Sequence, residues 1–281
     1  MKSIWHILRL GLMTVSCVHA SSQVFDVRTL KSEILAKDMK YAVYLPDGYV
    51  SSERSYPVLY LLHGYSDDQT GWIQFGDVQR IADRVIAEGR AAPMIIVMPD
   101  AETTWYMNDI KGVYRFEDYF FGELIPHVEA TYRCRTKKEY RAVAGLSMGG
   151  LGSFIYALQH PDLFASSCPL SGALWDREAM IKRMKLNEVG ASEEQLSAYL
   201  DRYCPVTLVK RLPEEQKKAV RFYIDCGDDD FLASDNARMH IFLAEKQIPH
   251  EYRTRDGGHT WEYWRTALPS VLEFVSQTFH R

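Results

Sequence analysis

The chain has 281 residues, 47% of them hydrophobic and 25% charged, with a formal net charge of −4. That length fits one large α/β domain better than two small ones. The mild charge, with no basic stripe or long charge run, argues against a nucleic-acid or membrane-surface partner.

The first twenty residues read as a leader rather than as fold. Lys2 and Arg9 give a basic start, Leu10 to Val18 is a short apolar stretch, and Val18-His19-Ala20 suits a signal peptidase, with cleavage after Ala20. The apolar stretch is shorter than the roughly 20 residues of a membrane span. A lipid anchor on Cys17 is disfavoured because Thr14-Val15-Ser16-Cys17 lacks the usual leucine. Residues 21–281 are then one catalytic domain outside the cytoplasm. Export would permit disulfides among Cys134, Cys168, Cys204 and Cys226, yet none has the spacing of a metal site, and free or incidentally paired thiols are the simpler reading.

Strand-like and helix-like runs then alternate, which implies a mostly parallel, twisted sheet with helices on both faces. Met39 to Leu45, Pro57 to Leu62 and Met94 to Met98 read as strands, with a helix over Val78 to Glu88. Phe116 to Tyr132 reads as a long helix broken or kinked at Pro126. Tyr140 to Ala144 is a strand that enters Gly145-Leu146-Ser147-Met148-Gly149, and Gly150 to Gln159 is a helix that leaves it. Phe164 to Leu170 and Arg221 to Cys226 are further strands. Asn236 to Lys246 is a helix, His250 to Arg253 a short strand, and Thr260 to Phe279 a last helix interrupted by Pro269. Residues 172–219 break the alternation. They read either as a helical insertion over the active site or as one crossover helix with a surface elaboration.

The pentapeptide around Ser147 is the chemical centre. A G-x-S-x-G occurs by chance in about one chain in ten of this length, so its context decides. Strand, tight turn and helix are the context of a nucleophile elbow, with the helix N-terminus facing the developing anion. A serine needs a base and a group to orient that base. After such an elbow the acid follows, then the histidine. His259 lies on Asp256-Gly257-Gly258 at a strand exit, where the base belongs; His160, His240, His250 and His280 sit in or beside helices and strands or at the terminus. Asp228, Asp229 and Asp230 all qualify as the acid. Their run lacks the spaced order of a calcium loop, and no metal is expected. Met148 should give one oxyanion amide and Tyr65, after His63-Gly64, the other, with His63 bracing that loop. Trp72, Trp105, Tyr106, Trp175, Phe231 and Trp261 fall on loops at the same sheet edge and offer flat faces to an aryl or sugar ring.

Taken together, Leu61-Leu62-His63-Gly64 with Trp72, Met98-Pro99-Asp100, Glu117-Asp118-Tyr119 with Glu123-Leu124-Ile125-Pro126, Ala144 to Gly150, Cys226-Gly227 with Asp230, and Gly257-Gly258-His259-Thr260-Trp261 resemble the esterase D and feruloyl esterase-type branch of the α/β-hydrolases. The resemblance runs over residues 38 to 277. It implies that Asp230, third after the Cys-Gly pair, is the acid and that Tyr65 is the second oxyanion donor. It also implies cofactor-free ester hydrolysis through an acyl-enzyme, on a small-molecule or polysaccharide-linked ester. Release of ferulate or related acyl groups from plant polysaccharide is the leading expectation. Acetyl(xylan) or short-chain esterase, S-formylglutathione thioesterase, acyltransferase and non-catalytic carbohydrate-binding readings are the alternatives.

Overall fold

The computed structural model describes residues 21–279, so the leader reading and its Cys17 variant fall outside the described residues. Eight strands form one sheet in the order β1-β2-β4-β3-β5-β6-β7-β8. They are β1 Gln23–Ser32, β2 Lys37–Leu45, β3 Val58–Leu62, β4 Ile95–Pro99, β5 Arg141–Leu146, β6 Ser166–Leu170, β7 Arg221–Gly227 and β8 His250–Arg255. β1 and β2 form an antiparallel hairpin, β2 is also antiparallel to β4, and every other pairing is parallel. The α/β-hydrolase class expected from the sequence is the one observed.

The helices are α1 Gly71–Gln74, α2 Val78–Ala87, α3 Phe116–Tyr119, α4 Ile125–Thr131, α5 Met148–Gln159, α6 Arg177–Arg183, α7 Glu193–Tyr203, α8 Pro205–Arg211, α9 Ala233–Glu245 and α10 Trp261–Phe279. Strand side chains alternate between two cores. Val58, Tyr60 and Leu62 face α3 to α9, whereas Leu59 and Leu61 face α1, α2 and α10. Because both faces are covered, β3 to β5 read as continuous apolar runs.

Both prolines singled out in the sequence lie inside helical structure. Between α3 and α4 the backbone makes a π-turn over Phe120–Leu124, just before Pro126. The wider turn relieves the clash that a proline ring makes with the preceding turn. Pro269, expected to interrupt the last helix, does not: α10 is continuous through it. Burial of Leu268, Val271, Leu272 and Val275 holds the helix despite one missing backbone donor.

Residues 172–219 comprise α6, α7, α8 and short 3-10 turns. Their second half is packed into the main core through Leu200, Tyr203, Cys204 and Val209. Glu117 of α3 pins it there. Its Oε2 accepts from the Tyr203 hydroxyl at 2.5 Å and from Arg202 Nη2 at 2.8 Å, and His160 Nε2 lies 3.9 Å from Oε1. Burial pushes the Glu117 carboxyl up, but these donors outweigh it and hold it below the usual carboxylate range. Its folded pKa therefore lies below the unfolded value, near 4.5. The stabilisation is fully present above that pH and is lost as pH falls through the folded value. Glu117→Gln should cost about 2 kcal/mol at neutral pH and flatten the acid limb. The melting temperature of the parent should drop more steeply below pH ~4.5 than that of the variant; parallel curves would contradict the assignment.

Candidate active site

Four strand ends converge on the site. β3 leads to His63-Gly64-Tyr65, β5 to Ser147, β7 to Asp230 and β8 to His259. This is the carboxyl edge of the parallel sheet, where open α/β folds bind ligands.

Ser147 sits between β5 and α5 with φ 55° and ψ −112°, a conformation that costs a side-chain-bearing residue energy. Its neighbours make the turn tight. A Cβ on Gly145 would lie 2.5 Å from the Gly149 carbonyl oxygen, and one on Gly149 would lie 2.6 Å from that of Leu62. Only glycine lets β5, α5 and β3 approach so closely. The Ser147 amide donates to the Leu170 carbonyl at 2.9 Å, which ties the turn to β6.

The Ser147 hydroxyl lies 2.9 Å from His259 Nε2, and His259 Nδ1 lies 2.8 Å from Asp230 Oδ2. Asp230 Oδ1 accepts the Leu232 amide at 2.8 Å. Burial raises the Asp230 carboxyl, but the His259 bond and the Leu232 amide together hold it below the usual carboxylate range. An ionised carboxylate only accepts, so His259 Nδ1 carries the proton and Nε2 offers its lone pair to Ser147. Phe231 and Trp264 flank the imidazole at ring-centroid distances of 4.5 and 4.9 Å. The array can take a proton from the serine hydroxyl and return it to a leaving group.

Of the other two aspartates, both exposed, Asp228 accepts the Gly257 amide at 3.1 Å and Asp229 donates its own amide to the Gly257 carbonyl. They shape the loop that carries His259. Asp225, inside β7, is fully buried and accepts from the hydroxyls of Tyr223 and Tyr263 and from Arg255. It joins β7, β8 and α10 beneath the site.

Tyr65 and Ser147 line the same cavity and Met148 follows Ser147 in the chain; neither the Tyr65 nor the Met148 amide donates to a protein acceptor among the described residues. His63 braces the Tyr65 loop. Its Nε2 accepts the Ala101 amide at 2.9 Å, so its Nδ1 bears the proton and donates to the Gly64 carbonyl at 2.7 Å. Burial lowers its pKa, which keeps the ring neutral.

A cavity of about 860 Å³ opens over Ser147 and His259. Trp105, Trp175, Phe231 and Trp261 line it, together with Tyr65 and Trp264. Trp72 and Tyr106 do not, and the expectation that they touch substrate is corrected. Trp72 is buried under Trp261 and donates its indole N–H to the Leu62 carbonyl at 3.0 Å. The Tyr106 hydroxyl bonds the His63 backbone, accepting its N–H at 2.8 Å and donating to its carbonyl. Both brace the loops instead. Trp264, Arg183 and Lys185 are pocket residues that the sequence reading missed. Trp264 was recoverable, since three residues after Trp261 it shares that residue's side of α10. Cys134, Cys168, Cys204 and Cys226 are unpaired, and burial pushes the Cys134 and Cys226 thiols up to about 12. Among the described residues no helix is long and apolar enough to cross a membrane.

The family model described as "Putative esterase" matches residues 32–275. An acetyl esterase of Caldicellulosiruptor saccharolyticus is 24% identical over 282 residues, covering 94% of this chain and 99% of that protein. An endo-1,4-beta-xylanase/feruloyl esterase of Xylanibacter ruminicola is 34% identical over 255 residues, 87% of this chain and 30% of that protein, so the chain spans under a third of that relative's length. A solved structure of a ferulic acid esterase is 33% identical and superposes with a TM-score of 0.81 over 92% of this chain and 99% of its own.

Proposed function

Since the chain belongs to the esterase family and is a carboxylic ester hydrolase, we propose that it works as a serine esterase with Ser147 as nucleophile, His259 as base and Asp230 as the orienting acid. The observation that carries this reading is the unbroken hydrogen-bond relay from Ser147 through His259 to Asp230. Ser147 Oγ attacks the ester carbonyl while His259 Nε2 takes its proton. The oxyanion is held by the amides of Tyr65 and Met148. Collapse expels the alcohol with the proton from His259, and water repeats the sequence on the acyl-serine.

The acyl group we propose is a hydroxycinnamate such as ferulate, released from plant polysaccharide or its fragments. Two things support it: the names of the relatives at 33–34% identity and the aromatic lining of the cavity. The leader reading of residues 1–20 supports export, with residues 21–281 as one catalytic domain and 172–219 contributing a wall of the pocket. Acetyl esterase is the second reading, favoured by the acetyl esterase that matches nearly end to end. A panel of methyl ferulate, methyl p-coumarate, acetylated xylan and p-nitrophenyl acetate separates the two. Faster turnover of the two hydroxycinnamates supports the first reading, and activity on the acetyl esters alone moves the assignment to the second.

Trp175 gives a sharper test. Its ring packs 5.2 Å from Trp105, which in turn lies 5.3 Å from Tyr65, so the three form one wall of the pocket. Each aromatic pair contributes about 0.5–1.5 kcal/mol. In folded protein, Trp175→Ala should lower kcat/KM for methyl ferulate by up to about tenfold, and less for p-nitrophenyl acetate. Equal losses on both would make Trp175 a packing residue only.

A further inference from the structure

We infer that the pocket selects esters that carry a carboxylate, recognised by Lys185 and Arg183. The inference rests on the serine-esterase reading above and adds a substrate class to it. Both residues line the cavity from one segment, Arg183 in the last turn of α6 and Lys185 in the bend that follows.

Lys185 is the clearer of the two. It is exposed at the pocket edge and forms no salt bridge among the described residues. Its φ is 52°, in the left-handed region that glycine or asparagine usually fills. The next residue explains how that conformation is held. Leu186 is buried in the main core, and the Glu188 amide donates to the Lys185 carbonyl at 2.9 Å. Strain maintained by its surroundings is a feature of ligand clamps.

Arg183 lies over the Trp175 ring, 5.4 Å from its centroid. Its carboxylate partner, Asp235, is 3.8 Å away and is shared with Arg238 at 3.5 Å, so two guanidiniums face one carboxylate. Both cations only donate, and a carboxylate, which only accepts and is charged, pairs with both. The one carboxyl lining the cavity, Asp67, lies beside Gly64 and Gly71 in the oxyanion loop, and burial raises its pKa.

The carboxylate could sit on the acyl group, as in a hemiester of a dicarboxylic acid, or on the alcohol, as in a uronic-acid sugar. Two matched substrate pairs distinguish these sources. The first is p-nitrophenyl hemisuccinate against p-nitrophenyl butyrate. The second is an acetylated methyl glucuronoside against the same acetylated methyl glucoside. The ratio of kcat/KM, anionic over neutral, is measured for the parent and for Arg183→Gln with Lys185→Gln. For one pair the ratio should fall about tenfold in the double variant. Raising NaCl to about 0.5 M should lower it for the parent in the same direction. The pair that responds identifies the source. A ratio unchanged by the double variant and by salt in both pairs would overturn the inference. Turnover of the neutral esters by the parent, and its loss in Ser147→Ala, reports separately on the serine-esterase reading.

Discussion

Ser147→Ala is expected to lower kcat by about 10⁶ while leaving the fold intact, as removal of a nucleophile that acts jointly with its base does. The alanine keeps a Cβ in the same strained turn, so the glycines at 145 and 149 still allow the close approach of β5, α5 and β3. What disappears is the one hydroxyl within 2.9 Å of His259 Nε2. The remaining activity would come from the oxyanion amides and binding alone. Circular dichroism and the melting temperature of the variant check that folding is unchanged. Retention of more than a few per cent of the parent's activity would place the nucleophile elsewhere.

Asp230→Asn should cut kcat by about 10⁴. An asparagine in that position turns either an amide oxygen or an NH₂ toward His259 Nδ1. The second arrangement places the imidazole proton on Nε2, where it points at Ser147 and cannot receive the hydroxyl proton. The Leu232 amide, which now bonds Asp230 Oδ1, biases the amide oxygen toward itself and so favours the unproductive arrangement. Asp228→Asn and Asp229→Asn should lose less than about tenfold, because those side chains are exposed and only shape the Gly257 loop. A larger loss at either of them than at Asp230 would show that the acid is misassigned by a turn of the loop. Steady-state kinetics of the three variants on one ester suffices.

Much of the site was legible because its chemistry fixes both residue type and context. Ser147 stands out by its glycines and by the strand and helix that flank it, and His259 by the glycines that precede it at a strand exit. Asp230 was different. Spacing left it level with Asp228 and Asp229, and only the family resemblance separated them. What distinguishes it physically is burial and the Leu232 amide, neither of which a sequence displays. Loop aromatics were ambiguous for a similar reason. Trp72 and Trp261 are 5.1 Å apart, yet one ring is under the floor and the other in the wall. Which way a ring points depends on neighbours far along the chain. Arg183 and Lys185 reach the cavity only because Leu186 and Met180 anchor their segment in the core.

The fold was legible where burial on both faces produces apolar runs, as in β3, β4 and β5. β1 was missed because it is an edge strand with mixed polarity, Gln23 to Ser32, and most of its residues are exposed or half-buried. Its place is set by pairing with β2 rather than by its own pattern. Pro269 was misread because local propensity argues for a break, while the packing of α10 against β5, β6 and β7 decides otherwise.

The central claim is that an acyl group passes through Ser147. Mass spectrometry of protein quenched in acid during turnover of a p-nitrophenyl ester tests it most directly. The intact protein should gain the mass of one acyl group, and peptide mapping should place it on the peptide that contains Ser147, with no such gain in Ser147→Ala. An acyl adduct mapped to another residue, or an equal adduct in the alanine variant, would contradict the account.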